Sequence, residues 1–197
     1  VALAAETLKE TPEQKEVLDE LSSWASQAMN KPDSKAQAIL DWLEEHLKDD
    51  GKLNNNRVIF FTEYRDTLAW LFEILASSNW GGKLLNQFHG GTDVDEREKI
   101  KKMFQGAPSE ENPVRILLAT DAASEGIDLQ KFCHYMIHVE VPWNPNVMEQ
   151  RNGRIDRFGQ KQDEVHIWHP VGSKIPDEKL NPDSRTSELD GDLEFLM

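Results

Sequence analysis

Val58-Ile59-Phe60-Phe61 is an unbroken apolar run that follows a polar turn, Asp49 to Asn56, and ends at Thr62-Glu63. β-Branched and aromatic residues without polar alternation suit a short strand buried on both faces, which is the position of a central strand in a sheet covered by helices. Downstream the pattern switches repeatedly between strand and helix character. Helix is expected over Tyr64 to Ser77, strand over Lys83 to Phe88, helix over Asp93 to Phe104, then strands over Val114 to Ala119 and His134 to Val139, helix over Pro145 to Arg157, and strand over Val165 to Trp168. Such alternation predicts an α/β domain with a mostly parallel sheet flanked by helices. Upstream lie two amphipathic helices, Thr11 to Met29 and Ser34 to Lys48, broken by Asn30-Lys31-Pro32-Asp33. In the second, Ala36, Ile39, Leu40, Leu43 and Leu47 recur at spacings of three and four and share one face, with Ser34 as the expected N-cap. The expected division is a helical extension over 1–56, the α/β domain over 57–170, and an acidic connector or tail, rich in Pro, Ser and Asp, over 171–197.

A chain of 197 residues suffices for one domain with a sizeable core. Hydrophobic residues make up 38% and charged residues 29%, the balance of a globular chain rather than a disordered one. No apolar run approaches the roughly 18 residues of a membrane helix, and the start lacks the basic residues of a signal peptide. No membrane partner is expected, and the expected location is cytoplasmic, nucleoid-associated in a bacterium or nuclear in a eukaryote. Cys133 stands alone, which excludes a disulfide framework and a cysteine-based zinc site.

The net charge of −14 opposes nucleic-acid binding until its distribution is considered. Residues 1–56 hold 12 acids and 6 bases, and residues 163–197 hold 9 acids and 3 bases. The middle, 57–162, is nearly neutral with 15 acids and 13 bases, and it contains seven of the eight arginines. Phosphate contact is therefore expected only there.

Two strings carry chemistry. In Gln150-Arg151-Asn152-Gly153-Arg154-Ile155-Asp156-Arg157-Phe158-Gly159-Gln160, a continuous helix would place Gln150, Arg154 and Arg157 on one face. Two guanidiniums projecting together suit a polyanion, since each binds phosphate oxygens through a fixed fork and stays charged. An isolated Arg-x-x-Arg is more often a solvated basic face; the longer string is what favours a site. In Ile116-Leu117-Leu118-Ala119-Thr120-Asp121, continuing to Gln130, an apolar strand runs into a turn of small residues at the carboxyl edge of a sheet, where open α/β folds bind ligands.

The first string resembles motif VI of the Swi/Snf-type branch of superfamily 2 helicases, and Pro142-Trp143-Asn144-Pro145 before it resembles that branch's W-N-P signature. Glu149 to Gln160, EQRNGRIDRFGQ, is similar to the version carried by bacterial RapA-like ATPases. The second string resembles motif V, although Ser124-Glu125 and Asp128 stand where Swi/Snf proteins usually carry Gly-Gly and Asn. Val58 to Leu71 resembles motif IV, and Phe88-His89-Gly90-Gly91-Thr92, followed by Arg97, resembles the phosphate-contacting turn that comes next in such proteins. The resemblance runs from about Arg57 to Trp168 and reaches neither end. It implies a second RecA-like lobe of an ATP-dependent translocase on nucleic acid, with duplex DNA as the expected track. It also implies roles: Arg154 and Arg157 at the γ-phosphate, Arg157 as arginine finger, Gln150 coupling nucleotide state to lobe closure, Gly126 and Asp128 at the nucleotide, and Thr62, Gly90, Thr92 and Thr120 on one nucleic-acid strand. ATP and Mg²⁺ would be held mainly by an N-terminal RecA-like lobe, because no G-x-x-x-x-G-K-[ST] loop occurs in these residues. Alone, the chain is expected to be an inactive monomer. The alternative is a catalytically silent lobe acting as a protein or nucleic-acid scaffold.

Other strings are look-alikes. Asp163-Glu164-Val165-His166 spells an acidic helicase box but lies after motif VI, at the last strand. His134, His138, His166 and His169 lack carboxylate or cysteine partners at ligand spacing, so no metal site is expected. Trp24, Trp42, Trp70 and Trp80 are expected to pack core or interdomain surface.

Overall fold

The structure is a computed structural model that describes residues 11–28, 32–121 and 128–170. Two helices, α1 (Pro12–Ala28) and α2 (Ser34–His46), precede a small hairpin of β1 (Lys48–Asp49) and β2 (Lys52–Leu53). Then follow β3 (Val58–Thr62), α3 (Arg65–Ala76), a single 3₁₀ turn, β4 (Leu85–Phe88), α4 (Val94–Gln105), β5 (Ile116–Thr120), β6 (Tyr135–His138), α5 (Pro145–Asn152) and β7 (His166–Trp168). The five longer strands form one sheet in the order β4-β5-β3-β6-β7, with every neighbouring pair parallel. The predicted α/β class is what the chain adopts.

Strand β3 lies at the centre of that sheet, and all five of its residues are buried. Because side chains alternate across a strand, its apolar run feeds two cores at once. Val58 and Phe60 join Ile116, Leu118 and Ile137 against Ile39, Leu43 and Leu47 of the α2 side and Leu68, Leu71 and Leu75 of α3. Ile59 and Phe61 join Leu117, Ala119 and Met136 on the opposite face, against Ile100 and Phe104 of α4 and against Leu129 and Ile155. Each filled face removes apolar surface from water, the main driving force for this layered arrangement.

Several boundaries differ from the sequence expectation. Asp33, not Ser34, caps α2, its carboxylate accepting from the Ala36 amide at 2.7 Å. The stretch expected as a plain turn after α2 contains the hairpin, made possible by Asp50 and Gly51 at φ 50° and 75°, the two left-handed positions of a tight two-residue connection. Trp80 is buried as expected, whereas Trp24 on α1 is 70% exposed. The expected tail from residue 171 lies outside the described residues.

A buried arginine closes the lower end of the sheet. Arg57 is 0% exposed. Its Nε donates to the Val114 carbonyl at 2.9 Å, and its Nη1 donates to the carbonyls of Phe104 and of Gly106, the latter at 2.6 Å. One side chain thus satisfies the frayed C-terminal carbonyls of α4 and the approach to β5. Arg57→Leu would take this donor from the Phe104 and Gly106 carbonyls, while Val114 keeps a bond from Arg115, so it is expected to cost about 2 kcal/mol or more in urea unfolding. Arg57→Lys should recover less than half of that loss, because a point ammonium cannot span carbonyls that the guanidinium fork reaches together.

Candidate functional site

The carboxyl ends of the parallel strands form one edge, and the chain's polar residues collect along it. β3 ends at Thr62, whose partner in register on β5 is Thr120, and β4 pairs with β5 on its other side. Both threonines are buried, at 2% and 5% exposure. The Thr62 hydroxyl is engaged with the backbone of Tyr64, accepting from its amide at 3.2 Å and donating to its carbonyl at 3.3 Å. Beyond β4, Thr92 closes a tight turn: its hydroxyl accepts from the His89 amide at 3.1 Å, and its own amide donates to the His89 carbonyl at 3.0 Å. Gly90 sits exposed at the top of that turn. It does not have a positive φ, and a Cβ built on it would meet nothing within 4 Å. The fold itself makes no demand for glycine there.

On the other side of β3, the β6 end leads through Glu140 to α5. Pro145 takes the first helical turn and Asn144 caps it, its side chain accepting from the Asn146 amide at 3.0 Å. The helix was expected to run to Arg157; it ends at Asn152. From there the chain passes through tight turns in which the Arg154 amide donates to Arg151, Ile155 to Asn152 and Gln160 to Arg157. Gly159, at φ 95°, supplies a left-handed step that disfavours any side chain. Gln150 is therefore exposed on α5, while Arg154 and Arg157 project from the turns rather than from one helical face.

The structure brings Arg157 to Asp128, pairing Nη1 with Oδ1, and both side chains are about half exposed at 46% and 56%. Arg154 joins the same corner, since its carbonyl accepts from the Leu129 amide at 3.2 Å. Its Nε is buried without a hydrogen-bond partner among the described residues. Gly126 lies outside the described residues.

The residue that organises this corner escaped sequence reasoning. Arg151 is 2% exposed and forks onto Asp121, Nε to Oδ1 at 2.6 Å and Nη2 to Oδ2 at 2.7 Å. Its Nη1 donates to the Glu140 carbonyl at 3.1 Å and to His138 Nδ1 at 3.3 Å. With Nδ1 accepting, His138 carries its proton on Nε2, which donates to the Asn152 side-chain oxygen at 2.9 Å. The network ties the ends of β5 and β6 to α5. A signal did exist: His138 and Asp121 are polar residues closing apolar strands, and each needed a buried partner.

Burial, with the neighbouring Arg151 charge, pushes His138 down to about 4, against the pull of its bond to Asn152. Between pH 6.5 and 4 the unfolded chain therefore binds a proton that the folded chain refuses. His138 contributes nothing against folding above pH 6.5, and destabilises progressively as pH falls toward 4, by up to about 3 kcal/mol. Urea midpoints measured from pH 7 to 4.5 should fall with a shallower slope in His138→Gln than in the wild-type chain.

Residues 35–159 match the family model described as helicase conserved C-terminal domain. The chain is 36% identical over 147 residues to the uncharacterized ATP-dependent helicase YqhH of Bacillus subtilis (strain 168), covering 75% of this chain and 23% of that protein. It is 31% identical over 135 residues to the RNA polymerase-associated protein RapA of Vibrio vulnificus (strain YJ016), covering 68% of this chain and 13% of that one. The chain thus spans less than a quarter of the length of these relatives. Among solved structures, the C-terminal part of the Fun30 ATPase domain superposes with a TM-score of 0.59 at 19% identity, over 82% of this chain and 51% of that one. Domain 2 of the DEAD-box helicase Mss116p, bound to an RNA duplex, superposes with a TM-score of 0.52 at 21% identity, over 68% of this chain and 47% of that one. At such identities these two likenesses establish a shared fold.

Proposed function

From the premise that this chain belongs to the helicase conserved C-terminal domain family, as a RecA-like lobe related to RapA, we propose that it is the second motor lobe of a nucleic-acid-dependent ATPase that moves along duplex DNA and displaces or remodels bound complexes. The observation that carries this reading is the corner at Arg154 and Arg157: two arginines on one turn pinned to Leu129 and Cys133, with the Arg157 side chain about half exposed. Two arginines on one turn, one of them half exposed, fit phosphate oxygens delivered from outside.

ATP with Mg²⁺, held mainly by a first lobe, would supply the phosphoryl group. This chain's own part is electrostatic and geometric. Arg157 and Arg154 would meet charge on the transferred group, and Gln150, exposed on α5, would sense closure of the two lobes. Asp128 would turn to the nucleotide once released from Arg157, with Gly126 beside it in sequence. The edge formed by the ends of β4, β5 and β3 would carry one strand's backbone, at Gly90 and Thr92 and at Thr120 and Thr62. Because both threonine side chains are buried there, contact at those two positions would come from the backbone at the strand ends.

The test is steady-state ATP hydrolysis by the full-length protein at saturating DNA. Arg157→Ala should lower kcat by about 10³-fold or more while leaving KM within a few-fold, since a finger stabilises the transition state more than the bound substrate. Arg157→Lys should not rescue, for want of the fork. The 197-residue chain alone is the control and should show no turnover with or without DNA. Near-normal turnover in both variants would return the corner to a basic surface and favour a scaffold role.

Gly90 tests the track separately. Since the fold leaves the space above it empty, Gly90→Val should leave the melting temperature of the chain nearly unchanged. In the full-length protein it should weaken DNA binding several-fold, as a side chain now stands where a phosphate would approach the backbone. A variant that melts early and binds normally would mean that glycine serves the turn alone.

A further inference from the structure

Two Arg–Asp pairs involve α5 and the turn that follows it, and they are built differently. Arg151 and Asp121 are joined by two parallel bonds, with the guanidinium buried and two of its other contacts going to Glu140 and His138. Arg157 and Asp128 share one contact, Nη1 to Oδ1, with both side chains about half exposed. The first pair is a structural fastening. Among the described residues, the segments that the second pair joins are held by other contacts: the Leu129 amide bonds to the Arg154 carbonyl at 3.2 Å, Leu129 and Ile155 are buried, and the Gln160 side-chain amide donates to the Cys133 and Ile155 carbonyls at 3.1 and 3.0 Å. Both backbones are fixed without it, so the Arg157 side chain can leave Asp128 by rotation alone.

We propose that the Asp128–Arg157 pair is an exchangeable latch, in which the carboxylate holds the guanidinium until a polyphosphate anion displaces it. The proposal rests on the placement of Arg157 at the nucleotide given under Proposed function. An exposed single-pronged ion pair is screened by water and salt, so a competitor needs little to break it. A guanidinium takes phosphate with the same fork it offers a carboxylate, and a polyphosphate presents more charge and more oxygens than one Asp. Asp128 thereby raises the threshold for anion capture, admitting polyphosphate and rejecting weaker monoanions.

A double-mutant cycle on the 197-residue chain tests the latch, with inorganic tripolyphosphate as the probe, titrated at low salt and followed by calorimetry and by the arginine side-chain NMR signals. Asp128→Asn should tighten binding about fivefold, the scale expected when one competing exposed ion pair is removed. Arg157→Ala should weaken it, and in that background Asp128→Asn should change affinity by less than about twofold, because the competition it relieves no longer exists. An equal gain in both backgrounds would be a general charge effect and would overturn the latch, as would Asp128→Asn binding no better than wild type, or no saturable binding by Asp128→Asn. A clear drop in the melting temperature of Asp128→Asn would make the pair a fastening and overturn the proposal as well. Should Arg157→Ala bind tripolyphosphate as tightly as wild type, the placement of Arg157 itself fails; should it bind more weakly with no coupling to Asp128, the latch alone fails.

Discussion

The forked bond between Arg151 and Asp121 is the constraint on which the edge depends. Asp121 follows β5 directly and Arg151 lies in the last turn of α5, so the pair fixes α5 relative to a strand with which it has no sheet contact. A guanidinium with 2% exposure is costly to desolvate. The cost is offset because its donors are matched: two to Asp121, one to the Glu140 carbonyl and one to His138, while the Phe61 ring lies 5.6 Å beneath its centre. Removing Asp121 would leave the buried guanidinium without its counter-charge, a loss that generally costs about 3 to 5 kcal/mol. The turn carrying Arg154 and Arg157 begins where this fastening ends.

That turn is rigid for reasons of its own. Gly159 adopts a left-handed φ, the Gln160 side chain bonds to two carbonyls, and Ile155 is fully buried in the core on the α4 side of the sheet. Preorganisation of this kind suits electrostatic work, because donors already in place need no reordering when a charged group arrives. The same logic explains why Phe158, at 100% exposure, and Trp143, at 97%, lie outside the core: the pinned backbone, not their own burial, holds them.

The sheet and its edge serve separate purposes. Apolar alternation along β3 and β5 fills a core on each face, and the strand ends release the chain into turns on one side. Parallel strands bring those strand ends to the same edge, so residues distant in sequence, Thr62, Thr120 and His138, come together there.

The order and type of the elements could be read from residues alone, because each depends on short-range facts: the apolar run at Val58 to Phe61, the period of α2, and the turn-forming strings between them. The family could be recognised from the string Glu149 to Gln160, since it is a continuous segment. What the sequence left open was contact across distance. A helix through Arg157 seemed natural from spacing, yet α5 stops at Asn152, because Gly153 and the burial of Ile155 favour a turn. Which arginine would be structural and which exposed also depended on the fold. Arg151, Arg154 and Arg157 have the same chemistry, and only packing against β5 and β6 decided that the first would be buried on Asp121 and the last left on the surface beside Asp128. Tertiary structure made that choice because a charge's environment, its solvent and its counter-charge, is set by neighbours that lie far off along the chain.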